Sequence, residues 1–286
     1  MFSVSEMYTK LKQFKNDCGP GQNQFYFAKV DVQAAFDTIP QDAILQLMQT
    51  LPSQTRYTIS KHAEMKPGDR SVAEATNAAT RPTRRWHTMA LSKTDESDFL
   101  ERVETQTGLQ KRNTVFINSA MVRTHTADSL TDLMKEHVSQ NLIKVGKKFY
   151  RQKVGIPQGS VLSSFLCNYF YADLEMHHLG FLQGQDSLLL RLIDDFLLIT
   201  LDRSKAEQFV EVMHKGLPEY GVEVNPDKTL VNFDLDGPKG KIRQLDPGVG
   251  FPYCGTLIDC HNLEIGKDRE RQKSMCDKEK LIQAAA

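Results

Sequence analysis

The stretch LLLRLIDDFLLIT, Leu188–Thr200, sets Asp194 and Asp195 side by side inside an apolar run. Burying one ionised carboxylate is costly, and burying two neighbours calls for a compensating cation. A third carboxylate, Asp31, falls near the end of the aromatic and β-branched stretch FYFAKVDV, Phe25–Val32. Carboxylates at the ends of adjacent strands can converge on one point. Hard oxygen ligands suit Mg²⁺, which takes one or two carboxylates together with substrate phosphates. Two such ions about 3.5–4 Å apart can clamp the attacking and leaving oxygens of a phosphoryl transfer. Read alone, Asp-Asp also fits a solvated turn, although Asn-Gly or Asp-Gly is the favoured chemistry of a two-residue hairpin.

The flanking pattern indicates the elements that position these groups. Phe25–Val32 reads as a strand. The segment AAFDTIPQDAILQLMQTL reads as a helix, with Pro40 at a first helical position and Ile44, Leu45, Leu47 and Met48 on its apolar face. From about Ser60 to Thr107 the chain is polar and Thr-rich, broken by Pro67-Gly68 and Pro82, and reads as an insertion, partly loop and partly helix. Asn113–Asn118 reads as a strand, and Ser129–Ile143 as a helix ending near Gly146. Lys148–Val154 is strand-like, Val161–His178 helical, and the apolar runs flanking Asp194-Asp195 look like two strands of a hairpin. A helix over Lys205–Leu217, a strand region over Gly221–Phe233, a loop over Asp236–Gly250 and a final hairpin from Phe251 to Ile265 complete the pattern.

Composition narrows the class. Hydrophobic residues make up 40% and charged residues 25% of the 286, which suits a globular protein with a real core. No apolar run approaches the roughly 20 residues that span a bilayer, and the N-terminal MFSVSEMYTKLKQFK lacks the order of a signal peptide. The five cysteines are odd in number and form no C-x-x-C pair, so free thiols are expected rather than a disulfide framework or a structural zinc site. The 36 basic and 36 acidic residues balance, so global charge gives no argument for nucleic acid. Local charge is less even: Lys144, Lys147, Lys148, Arg151 and Lys153 share one segment, and Arg81, Arg84 and Arg85 flank the only tryptophan, Trp86. Such clusters suit phosphates, or a solvated surface.

Five blocks occur in order: AKVDVQAAFDTIPQ (Ala28–Gln41), KVGIPQGSVLSSFLCNYFYADLE (Lys153–Glu175), LLRLIDDFLLIT (Leu189–Thr200), GVEVNPDKTLVNF (Gly221–Phe233) and YCGTLID (Tyr253–Asp259). They resemble motifs A, B, C, D and E of the reverse transcriptases. Their wording, and the long gap between the first two, resembles the telomerase catalytic subunits. The resemblance implies an α+β fold: a reverse transcriptase palm, with an antiparallel sheet backed by helices and an RRM-like core, and a mixed, mostly helical insertion between motifs A and B. It divides the chain into residues 1–58 (first palm part, motif A), 59–145 (insertion in the fingers), 146–245 (second palm part, motifs B, C and D) and 246–286 (primer-grip hairpin, motif E, and the start of a truncated thumb).

Roles carry over by the same resemblance. Asp31 and Asp194 are implied as the principal ligands of two Mg²⁺ ions, with Asp195 assisting; adjacent strand residues point to opposite faces, so one of the pair binds more directly. Phe36 is implied beneath the sugar of the incoming nucleotide, excluding a 2′-hydroxyl by bulk; read alone it is a core phenylalanine. Gln158 and Gly159 are implied against the template and nascent base pair, in a loop where glycine permits close approach and helix amides attract phosphate; Ser160 equally suits a helix N-cap. Lys228 is implied near the triphosphate, protonating or neutralising the pyrophosphate; its bland reading is a surface lysine. Tyr253, Cys254 and Gly255 match the primer grip, with Cys254 structural. The resemblance implies an RNA-directed DNA polymerase in the nucleus at telomeres, with a telomerase RNA template, a telomeric DNA primer, dNTP and ribonucleoprotein assembly, and no membrane. A retroelement reverse transcriptase and a non-catalytic RNA-binding fragment are the competing readings. Fingers motifs upstream of motif A, the RNA-binding and telomeric-DNA domains and a helical thumb are not found in the chain. It is therefore expected to be a fragment, weakly active or inactive alone.

Overall fold

The computed structural model describes residues 4–19, 21, 24–68, 82–92, 98–107, 111, 113–237 and 240–268, without the side chains of 4, 5, 92, 105–107 and 120–122. In chain order the first elements are α1 (Val4–Cys18), β1 (Tyr26–Asp31), α2 (Ala35–Thr38), α3 (Gln41–Met48), β2 (Arg56–Lys66), β3 (Thr83–Ser92), α4 (Phe99–Thr107), β4 (Val115–Thr126) and α5 (Ala127–Ser139). Then come β5 (Leu142–Val145), β6 (Lys148–Arg151), α6 (Val161–His178), β7 (Ser187–Leu192), β8 (Asp195–Thr200) and α7 (Arg203–Lys215). Short strands close the chain: β9 (Leu230–Val231), β10 (Asp236–Gly237), β11 (Gly240–Lys241), β12 (Arg243–Gln244), β13 (Phe251–Tyr253), β14 (Thr256–Ile258) and β15 (Ile265–Lys267). Two compact units result: Met1–Leu45 with Val138–Ala286, and Gln46–His137.

The first unit is built on a five-stranded sheet in the order β12-β9-β1-β8-β7, antiparallel except between β12 and β9. Its interior strand β8, between β1 and β7, is buried on both faces. Phe196 meets Tyr171 of α6 edge-on, at 5.9 Å between ring centroids. Leu197 and Ile199 join a core with Met7, Leu11 and Phe14 of α1 and Phe251 and Tyr253 of β13. A strand covered on both sides has no polar face to alternate with, which explains the continuous apolar run around the aspartates. Burying each such side chain stabilises the fold by roughly 1.5–3 kcal/mol. The helix α1, whose Met7, Leu11 and Phe14 recur at helical spacing, was not expected from the sequence. Asp202 caps α7 by accepting from the Ser204 amide at 2.8 Å. Ser160 stands at the N-cap position of α6, but its side chain makes no capping bond.

The second unit carries a three-stranded antiparallel sheet in the order β3-β2-β4. The expectation of a mostly helical insertion, part loop and part helix over 60–107, is therefore corrected: among the described residues three long strands accompany α4 and α5. The period of two escaped notice because one face of β2 buries polar residues, His62 and Glu64, where apolar ones would mark a core.

Other expectations shift locally. The helix after Asp31 breaks into α2 and α3, and Pro40 sits at the N-cap position of α3, its carbonyl accepting from the Ile44 amide at 3.1 Å. The helix expected over 129–143 ends at Ser139, and residues 142–151 instead form the β5–β6 hairpin, with Gly146 at φ +62° in its turn. Gly221–Phe233 holds only the short β9 after a 3-10 turn at Pro226–Lys228. The final hairpin is the three-stranded sheet β13-β14-β15. Cys18, Cys167, Cys254 and Cys260 form no disulfide; Cys276, Arg81 and the truncated-thumb segment after 268 lie outside the described residues. No helix among the described residues is long and apolar enough to cross a membrane.

Candidate active site

Asp31 ends β1 and Asp195 begins β8, and the two are direct antiparallel partners. Asp194 lies in the two-residue turn that joins β7 to β8, since Leu192 pairs with Asp195. The turn forces Ile193 to φ +59°, a left-handed conformation that β-branched residues rarely adopt. Strain of this kind costs about 1–3 kcal/mol and persists only where the surroundings impose it. Here they do: the Val32 amide donates to the Asp194 carbonyl at 3.1 Å, and the β7–β8 ladder holds both ends.

Lys228 reaches this corner from the 3-10 turn over Pro226–Lys228, whose Asn225 side chain accepts from the Asp227 amide at 3.1 Å. The Asn225 amide in turn donates to the Asp31 carbonyl at 3.1 Å. The Lys228 Nζ donates to Asp31 Oδ2 at 2.9 Å. That bond, with the fields of Asp195 and Asp194, holds the Lys228 ammonium above its ordinary pKa. The Asp194 carboxyl is pushed up, first by burial and then by the charges of Asp195 and Asp31, with Lys228 opposing. One lysine therefore faces three acidic side chains.

That surplus of negative charge, on oxygen donors only, fits a hard divalent cation such as Mg²⁺, and Asp31, Asp194 and Asp195 are the residues that would hold it. The three are neighbours without being a closed ligand set: among the described residues no three His, Cys, Asp or Glu side chains are already gathered around one metal position. The Lys228 ammonium is bonded to one of the two Asp31 carboxylate oxygens, Oδ2.

Tyr253 reaches the same corner from β13. Its hydroxyl, in a buried side chain, donates to the Asp195 carbonyl at 3.0 Å. Cys254 and Gly255 form the turn between β13 and β14, at φ +48° and +79°. Phe36 lies half-buried in α2. Its carbonyl accepts from the Ile156 amide at 2.7 Å. Gln158 Nε2 donates to Asp37 Oδ1 at 2.9 Å, so the turn after Asp31 and the loop before α6 are clasped together. Gly159 adopts φ +80°, with no protein atom within 4 Å of where a Cβ would stand.

Three supporting residues escaped sequence reasoning. Gly155, at φ +75°, leaves room for the Phe36 carbonyl, which would lie only 2.3 Å from a Cβ. Gln41 Nε2 donates to the Gly155 carbonyl at 2.9 Å and fixes the same loop. Arg191, buried within β7, pairs with Glu175 and donates to Asn168 Oδ1 at 2.7 Å, tying α6 to the hairpin that carries Asp194. A lone arginine inside an apolar run was the available signal for it.

Comparison with known proteins identifies the family. A model of the reverse transcriptase (RNA-dependent DNA polymerase) family matches residues 66–239, well over half of the chain. A telomerase reverse transcriptase of Canis lupus familiaris is 35% identical over 250 residues, covering 86% of this chain and 22% of that protein. One of Bos taurus is 34% identical over 250 residues, covering 85% and 21%. The chain thus spans about a fifth of the length of these curated relatives. Among solved structures, telomerase from Candida albicans in complex with a TWJ fragment of telomeric RNA aligns with TM-score 0.61 at 20% identity, over 93% of this chain and 35% of that one. Apo telomerase from Candida tropicalis, truncated from its C-terminal domain, gives 0.58 at 19% over 94% and 40%. At these identities the structural likeness carries the fold alone. The family model, matched across the block that holds Asp194 and Asp195, carries more: the chain belongs to the reverse transcriptase (RNA-dependent DNA polymerase) family.

Proposed function

We propose that this chain is the catalytic palm of a telomerase-type RNA-directed DNA polymerase, which extends telomeric DNA 3′ ends with dNTPs on an RNA template. The observation that carries the chemistry is the corner where Asp31, Asp194 and Asp195 meet with Lys228 as their cation. The telomerase assignment rests on relatives 32–35% identical over about 85% of the chain.

In the proposed reaction the primer 3′-hydroxyl gives its proton to solvent water and its oxygen bonds to the α-phosphate of a dNTP. The bond from that phosphorus to the α–β bridging oxygen breaks, and pyrophosphate leaves. When bound, Mg²⁺ ions, two in this reading, would lower the pKa of the attacking hydroxyl and neutralise the leaving phosphates. Asp31 and Asp194 would hold them, with Asp195 assisting. Lys228, kept protonated at neutral pH by Asp31, is positioned to give its proton to pyrophosphate. Phe36 bounds the sugar site, Gln158 and Gly159 border the template, and Tyr253, Cys254 and Gly255 support the primer end. The partners are a telomerase RNA, a telomeric primer and the rest of a ribonucleoprotein, and the site of action is the nucleus, at telomeres.

The test is RNA-templated primer extension with Mg²⁺ by the protein that carries this chain, beside its Asp194→Asn variant. RNA-dependent incorporation that falls on the order of 10³-fold in the variant supports the reading. Incorporation unchanged by the substitution overturns it. Equal copying of any supplied RNA, rather than repeated copying of one short internal template, overturns the telomerase assignment alone.

A further inference from the structure

We propose that the open face of the sheet in the second unit binds single-stranded RNA. The inference does not rest on the polymerase reading, because it uses residues of a different unit. The antiparallel register sorts the side chains of β2 and β3 onto two faces. One face carries His62, Glu64 and His87 and packs on Phe99 of α4, whose ring stands 5.7 Å from that of His62. The other face carries Lys61, Ala63 and Met65 beside Thr88, Trp86 and Arg84, and β4 adds Val115 and Ile117 next to them.

Trp86 keeps 51% of its surface exposed, with Val115 at 58% and Ile117 at 46%. Aromatic and β-branched side chains left this open on a sheet mark a contact surface rather than a core. Lys61 Nζ lies 4.4 Å from the Trp86 ring centre, and the Arg84 guanidinium lies at 5.8 Å. Arg123 of β4 continues the same row beside Ile59. No aspartate or glutamate stands in this register between Tyr57 and Met65, Arg84 and Ser92, or at Val115, Ile117, Arg123 and His125. Arg85, opposite Glu64, belongs to the covered face.

An exposed ring bracketed by cations, on a face without carboxylates among the described strand residues, complements a chain of stacked bases and phosphates. Unpaired bases offer a π-face to an aromatic ring, and the phosphates between them meet the cations. A duplex hides its bases and loses that contact. Thr88, exposed on this face two residues from Trp86, places a hydroxyl where a ribose 2′-hydroxyl can pair, which favours RNA over DNA.

Trp86 is the only tryptophan of the chain, so its fluorescence reports this face directly. The 286-residue chain is titrated with the oligonucleotide rU12. Saturable quenching is expected, weakening about 20-fold between 50 and 200 mM salt, as three displaced counterions predict. The double variant Lys61→Gln/Arg84→Gln, which keeps the reporter, should bind about tenfold more weakly and with a shallower salt slope, whereas Lys61→Arg/Arg84→Lys should bind as wild type does. Trp86→Ala, followed through the anisotropy of labelled rU12, should also lose about tenfold. Absent quenching, or quenching that the charge-removing pair leaves intact, overturns the proposal. Equal quenching by a 12-base-pair RNA duplex removes the role of stacked bases and overturns it too. Equal or tighter quenching by dT12 overturns the choice of RNA. The Asp194→Asn variant should quench like wild type, so failure of the polymerase reading and failure of this one are separable.

Discussion

Asp31 and Asp195 face each other across the antiparallel ladder of β1 and β8, two like charges in directly paired positions. Such a pair destabilises a sheet unless something compensates. The Asp194 carboxyl adds a third charge from the adjoining turn, and its pKa is raised first by burial and then by the other two. The corner is thus held at the expense of stability.

Asp194→Asn should therefore stabilise the protein at neutral pH while removing activity. The melting temperature should rise by about 2–4 °C, the shift that roughly 1 kcal/mol gives in a chain of this size. Mg²⁺ should raise the melting point of wild type and leave that of the variant nearly unchanged, and EDTA should reverse the gain. Calorimetry with and without Mg²⁺ checks both; a variant that melts lower than wild type would contradict the electrostatic account.

Lys228 acts through its proton and its charge. Lys228→Met should lower the rate of nucleotide addition by about 10²–10³-fold with little change in KM for dNTP. Lys228→Arg keeps the charge but holds its proton too firmly to donate it, so it should recover only part of the loss. Single-turnover incorporation separates the two terms. Full activity in the arginine variant would leave charge as the whole contribution.

Phe36→Ala opens the space beside α2 without touching the backbone bond from Ile156 to the Phe36 carbonyl. Incorporation of rNTP relative to dNTP should rise by at least about tenfold, since a steric gate discriminates by what it excludes. Competition between dGTP and GTP measures the ratio directly. An unchanged ratio with lowered stability would return Phe36 to an ordinary core role.

Gly155→Ala tests the clasp from the other side. The new methyl would stand 2.3 Å from the Phe36 carbonyl, at a φ of +75° that alanine resists. Strain and clash should cost about 1–3 kcal/mol. Activity should fall further than stability, because Gln158 lies on this loop and Phe36 is bonded to it through Ile156. Gly159→Ala meets no atom within 4 Å and should disturb the fold less; equal destabilisation by the two would refute the clasp.

What could be read in advance follows from how local each signal was. The helix α6 and the β7–β8 hairpin were legible because their apolar runs and punctuating residues lie within one segment. The Lys228–Asp31 bond joins residues 197 positions apart, and only the motif resemblance had placed both in one site. Strands β2 and β3 stayed hidden because the covered face carries polar residues, His87 bonded to Glu64 and His62 stacked on His87, so no apolar alternation marks it. Arg191 was passed over inside its hydrophobic neighbourhood, where its partners Glu175 and Asn168 come from α6. The three aspartates were read from sequence as a ligand set; the structure adds that a lysine holds one of their oxygens.

The polar face of the second unit should make that unit sensitive to acid. His62 is 5% exposed, stacks on His87 at 5.0 Å between centroids, and has a Nε2 with no hydrogen-bond partner among the described residues. Burial first, then His87 and Arg102, push its pKa below the ordinary 6.5, with Glu64 opposing. A depressed folded pKa means that the stability is present above 6.5 and is lost as pH falls from there through the folded value. Glu64, bonded to Lys111 at 2.8 Å and His87 at 2.9 Å, is also depressed, chiefly by Lys111, so its contribution is lost below its ordinary 4.5. Denaturation followed through Trp86 should thus show one loss as pH falls below about 6.5 and a second below about 4.5. His62→Phe, which cannot take up a proton, should remove the first loss and leave the second. A wild-type midpoint that stays flat from pH 7.5 to 5 would exclude a buried neutral His62 as the source of acid sensitivity.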